Sequence, residues 1–112
     1  MTEPRTRVWD YSSRRYDVLG RIRWRIEWIT LAPSAEGKED IDPDYDLNTH
    51  AQYSATEADA LAQGQKIYDQ LADAGKLFYG TVNIEKQQLL WFVQADRVAD
   101  WQAIGESIEI SE

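Results

Sequence analysis

The chain has no cysteine, so disulfides, thiolate metal sites and cysteine nucleophiles are excluded by inventory, and stability must come from packing. It has one histidine, His50, and no glycine-rich phosphate loop, nucleophile elbow or zinc-type spacing. With no activated serine or metal partner to act through, His50 reads as a surface side chain. No enzyme, catalytic residue, cofactor or metal is expected. Long apolar runs are also missing, both at signal-peptide length in the opening residues and at transmembrane length anywhere, so the expectation is a cytoplasmic protein with no membrane partner. Positive charge is scarce: 12 Lys and Arg stand against 20 Asp and Glu, for a net charge of −8. Such a field repels phosphate backbones and attracts basic surfaces, so no direct nucleic-acid partner is expected.

The charge is unevenly placed. Residues 1–28 carry seven arginines against four acids, while residues 29–112 carry five basic and sixteen acidic residues. A chain of 112 residues with 43% hydrophobic content has the apolar surface for one folded domain and one core, spanning 1–112. Its most conspicuous stretch is RIRWRIEWITL, residues 21–31. From 19 to 31 the side chains alternate, with Ile22, Trp24, Ile26 and Trp28 on one parity and Arg21, Arg23, Arg25 and Glu27 on the other. That period of two marks a strand with one buried face.

Residues 32–43 hold prolines, glycine and acids without periodicity and read as an exposed loop. Alternation resumes over 44–54, which predicts a second strand. Ser54-Ala-Thr-Glu57 matches a capping box and starts a helix over 55–74 that stops at Gly75. Two apolar runs, 76–84 and 88–95, separated by Glu85-Lys-Gln87, predict a hairpin. Asp96 is placed to cap a second helix through Ile104, with Val98 and Trp101 inward, and Ser107 to Ser111 alternates enough for a short edge strand. The order ββαββα, with an optional last strand, predicts an α+β two-layer sandwich: a four-stranded, mainly antiparallel sheet with two helices on one face. Apolar residues on both parities of the hairpin require cover on both sides, from residues 1–16 through Val8, Trp9 and Tyr11, from a second copy in a homodimer, or from a partner.

Pairing the first two strands would set Arg21, Arg23 and Arg25 beside Asp44, Asp46, Asn48 and His50, and such cross-strand charges explain the arginines locally. Asp40, Asp42, Asp44 and Asp46 resemble a row of oxygen ligands, but a calcium loop needs glycine sixth and glutamate twelfth. Counting from Asp40 those places hold Tyr45 and Ala51, and from Asp42 they hold Leu47 and Tyr53. The row therefore reads as solvated charge. Together these features point to a non-enzymatic, acidic protein-interaction module whose partner is a basic protein surface. A specific form is a phage or mobile-element inhibitor that mimics nucleic acid and occupies a basic groove of a defence or nucleic-acid-processing complex. Its expected binding residues are Glu36, Glu39, Asp40, Asp42, Asp44 and Asp46, with Tyr79 and Trp91 as aromatic anchors. The alternative is a small-molecule or nucleotide-binding domain that uses an aromatic sheet surface.

Overall fold

The arginine-rich alternation forms the central structural element. The computed structural model describes residues 6–91 and 98–112. Within them lie seven strands: β1 (Arg7–Asp10), β2 (Arg15–Val18), β3 (Ile22–Leu31), β4 (Leu47–Ser54), β5 (Val82–Trp91), β6 (Ala99–Ala103) and β7 (Ile108–Ile110). One helix, α1 (Glu57–Asp73), accompanies them. The strands form a single sheet in the order β2-β1-β6-β5-β3-β4, and β7 pairs with the first residues of β5. Every pairing is antiparallel except β1 with β6, where Asp10 lies opposite Ala99 in parallel. The sheet curls into a mixed half-barrel. The expected four-stranded sheet with two helices is thus corrected to seven strands with one helix.

That correction has several sources: the N-terminal segment, expected only as cover, forms the β1–β2 hairpin, the optional last strand forms as β7, the expected second hairpin is one strand, and the expected second helix is a strand. The expected hairpin turn at Glu85-Lys-Gln87 is the middle of β5, which runs unbroken from Val82 to Trp91. These three polar residues belong to a strand because each meets a neighbour: Lys86 lies 5.7 Å from the Trp24 ring, while Gln87 accepts from Arg23 Nε and donates to Glu85. The expected second helix is β6 over Ala99–Ala103, because Ala99, Trp101 and Ala103 alternate as readily as Val98, Trp101 and Ile104 repeat by three. Residues 92–95 of the expected strand and the capping Asp96 lie outside the described residues.

The first helix forms, with its start displaced by two residues from the expected cap. Thr56 is the N-cap and accepts from the Asp59 amide, whereas Ser54 bonds around Thr56. At the other end the Lys76 amide donates to Leu71 O and the Gly75 amide to Ala72 O, with Gly75 at φ +67°. This is a Schellman stop, which glycine favours because its left-handed backbone carries no Cβ penalty.

Two small cores lie on opposite faces of the sheet. On one face Ile26, Val82 and Ile84 bury against Ala60 of α1. A Cβ built on Gly64 would sit 2.9 Å from Ile110 Cδ1 and 3.0 Å from Ile84 Cδ1, so the helix approaches the sheet closely there. Gly64→Leu is expected to overpack this contact and cost about 1–3 kcal/mol, read as a lower denaturant midpoint. An unchanged midpoint would mean that α1 stands further off the sheet. On the other face Leu89, which has the opposite parity from Ile84, buries with Val8, Ala99 and Trp101. The β1–β2 hairpin thus supplies cover for β5 through Val8, while Trp9 and Tyr11 are exposed and meet edge to face at 6.4 Å. Because the two cores are offset along the sheet, the molecule is long, at 57 × 29 × 22 Å.

Candidate functional site

One helix cannot cover one face of a seven-stranded sheet. Beside α1, the β3–β4 end of that face stays open and forms a groove of about 810 Å³. This lies within the range of ligand and peptide sites. Its floor is the β3–β4 ladder, where Trp28 pairs with His50 and Thr30 with Asn48. Ile67 and Leu71 of α1 form one wall, and Leu77 and Phe78 form another. The loop carrying Phe78 is tied to the end of β3 by its amide, which donates to Ile29 O at 2.9 Å.

His50 is therefore not on a polar face beside Asp44 and Asp46, as the alternation implied. Its ring stacks on Trp28 with centroids 5.3 Å apart and planes 11° apart, and Nε2 is 2.8 Å from Thr30 Oγ1. The stacked pair lines the groove. No carboxylate orients the imidazole in a hydrogen bond among the described residues, so the geometry gives it no general-base partner.

The acidic loop begins at the groove's lip, where Glu36 lines it. Glu39, Asp40, Asp42 and Asp44 follow, all exposed. Asp46 differs from them. It is buried, and it accepts from Lys38 Nζ at 2.7 Å and from the Asp42 amide at 2.8 Å, while its own carbonyl accepts from Ala32. Those bonds from Lys38 and Asp42 hold its carboxyl below the ordinary carboxylate range despite burial. Asp46 thus anchors the loop and is unavailable to a partner. The four alternate aspartates also fail to form an extended row, because residues 43–45 turn and β4 starts at Leu47. Among the described residues no group of three or more histidine and carboxylate side chains could hold a metal, and no helix is long and apolar enough to cross a membrane.

Of the expected aromatic anchors, Tyr79 does not line the groove but is 58% exposed and meets the groove-lining Phe78 edge to face at 4.9 Å. Trp91, 42% exposed, ends β5. It lies nine residues beyond Val82, about 30 Å along the strand, so the two anchors do not share a surface.

The arginines require the largest correction. Arg25 pairs with Tyr53 and Glu27 with Ala51 in the β3–β4 register, and Asp46 lies past the last pair, Leu31 with Leu47. No aspartate of the loop faces an arginine of β3. Arg21 bonds Asp17 at 3.0 Å and Arg25 bonds Glu27 at 3.2 Å. Arg23 has no ion-pair partner among the described residues; its guanidinium lies between the Tyr53 ring at 3.9 Å and the Trp101 ring at 4.0 Å. Burial pulls its proton affinity below the ordinary value, against the opposing influence of Tyr53 and Asp10, yet a guanidinium stays charged in a protein. Trp101 Nε1 donates to the buried Asp10 at 2.8 Å. Asp10 also accepts from Ser12 and Ser13 in the β1–β2 turn. The signal for this hub was present in Asp10-Tyr-Ser12-Ser13, an aspartate followed two residues on by serine, as in turns that aspartate side chains close.

No family model, no curated protein and no solved structure matches the chain.

Proposed function

We propose that the protein is a non-enzymatic interaction module that takes a basic, amphipathic segment of another protein into the groove between α1 and the β3–β4 edge. The observation that carries this reading is the juxtaposition of an open amphipathic groove, in which Trp28, Ile67, Leu71, Leu77 and Phe78 stand among polar side chains that include Lys76, with an acidic loop whose Glu36 lines it. Burial of aromatic and aliphatic surface supplies contact energy, and exposed carboxylates raise the encounter rate with a positive partner and select its sign. The Asp46 anchor supports the reading because a loop pinned at its base loses less freedom on binding.

The basic partner expected from the composition remains within this proposal, including a nucleic-acid-processing protein. The surface that meets it changes: a groove with an acidic rim replaces the aspartate row. A synthetic helical peptide of leucine and lysine is expected to bind at least tenfold more tightly than a lysine–serine peptide of equal charge, a difference of about 1.4 kcal/mol. Phe78→Ser should weaken the first peptide alone. Replacing Glu39 with Gln and Asp40, Asp42 and Asp44 with Asn should weaken both, with the loss shrinking as salt is added. Calorimetry that finds equal affinity for the two peptides would overturn the groove as the site of contact.

A further inference from the structure

At the other end of β3 lies a second cleft, of about 450 Å³. The β1–β2 turn, the start of β3 and the end of β4 meet there, bringing Arg15, Arg21 and Arg23 together with Tyr53. Three arginines line this one cleft, and the repulsion between their guanidinium groups is unfavourable unless negative charge beside them offsets it. The protein's own carboxylates offset it only in part. Asp17 holds Arg21 through Nε. Asp10 is buried and its oxygens are already occupied by Trp101, Ser12 and Ser13. Arg15 and Arg23 form no ion pair among the described residues.

Arg23 is also preorganised. Its Nε donates to Gln87 Oε1 at 2.9 Å while both faces of the guanidinium are covered by rings. The stack fixes the plane and leaves the terminal amino groups as the donors, the arrangement in which an arginine loses least freedom on gripping an oxyanion. Arg21 also lies over Trp101, at 5.4 Å, so one indole seats two of the three arginines. The nearby start of α1 is not the attraction, because Thr56 caps it and Glu57 and Asp59 occupy its first turn.

We infer that this cleft binds the phosphoryl group of a small phosphate monoester, with Arg15, Arg21 and Arg23 as its ligands. Three guanidinium groups from β2, the turn before β3 and β3 itself suit a tetrahedral, multiply charged group with three free oxygens better than a planar carboxylate with two. The outer face of half-exposed Tyr53 lies beside the site, so the phosphoryl group has room to carry an organic substituent. This inference is independent of the groove: Trp28 and Trp101 lie on opposite faces of the sheet, over opposite ends of β5.

The test is calorimetric titration at low ionic strength with inorganic phosphate, adenosine monophosphate and adenosine, on the full chain and on Arg15→Gln. Arg15 is exposed at the end of the edge strand β2, so its replacement is expected to leave the fold intact, as checked by the melting curve. The expected result is saturable binding of phosphate or the nucleotide with Kd on the order of 1 mM or tighter, weakened at least tenfold by Arg15→Gln. The Trp101 indole N–H resonance should move in the same titration. A nucleotide that binds more tightly than phosphate would assign a phosphorylated nucleoside, whereas equal affinity would assign the bare phosphoryl group. No saturation by about 10 mM, adenosine binding as well as its monophosphate, or full affinity in Arg15→Gln would each overturn the inference. So would binding of a short single-stranded oligonucleotide by a protein that binds neither phosphate nor the nucleotide.

Discussion

Leu89→Ala is expected to destabilise the fold by about 2–5 kcal/mol, as much as Ile84→Ala, although the two side chains lie on opposite faces of β5. Ile84 is 1% exposed and packs beneath α1; Leu89 is fully buried and has no helix over it. Its cover is Val8 from the N-terminal hairpin together with Ala99 and Trp101 of β6. Truncating Leu89 removes three side-chain carbons from that small cluster, and the β1–β2 hairpin has no other core to hold it. Chemical denaturation of both variants checks the claim. A loss below 1 kcal/mol for Leu89→Ala, with a full loss for Ile84→Ala, would show that the second core is not formed and that the hairpin does not seal the sheet.

Asp10→Asn should be nearly as costly, at about 3 kcal/mol, the upper end for hydrogen bonds to a buried charged group. Asp10 is 1% exposed and accepts from the Trp101 indole, the Ser12 amide and both serine hydroxyls. Burial by itself would raise its carboxyl, but the bonds from Trp101, Ser12 and Ser13 outweigh that and hold it well below the usual range. An asparagine offers one acceptor where the carboxylate offered two, and its amide protons would face existing donors. The turn it organises contains Arg14 at φ +55°, a left-handed conformation that costs a non-glycine residue about 1 kcal/mol or more and persists only when its surroundings hold it. A pH dependence follows, with a definite sign. Because the folded carboxyl lies below the unfolded one, the stabilisation is complete above about pH 4 and is lost as the pH falls further, toward the folded value. Melting temperatures of the two proteins should therefore differ most near neutrality and converge in acid. A constant difference down to pH 2 would contradict the assigned role.

How much of this was legible in the residues depends on how many interpretations each segment allows. The strand around Arg21, Arg23 and Arg25 was legible because ten residues alternate without a break. The end of α1 was legible because a helical run followed by Gly75 has few other forms. β5 is hidden in the sequence because Glu85, Lys86 and Gln87 look like a turn until their partners are known, and those partners, Arg23 and Trp24, lie more than sixty positions away. β6 is hidden because five residues around Trp101 fit both periods. The register between β3 and β4 was not legible at all, since nothing in residues 32–46 states how many of them the loop uses. That single unknown decided whether the arginines met aspartates or lined a cleft, and whether His50 faced water or stacked on Trp28.

The proposed partner docks on the groove over Trp28 and leaves the Trp101 end of the molecule untouched. The five tryptophan indole N–H resonances report it directly in a titration with the leucine–lysine peptide. The Trp28 signal is expected to shift and saturate with the binding curve while that of Trp101, held by Asp10, stays in place. A Trp28 signal that remains fixed while the peptide binds, or a Trp101 signal that moves in its stead, would contradict it.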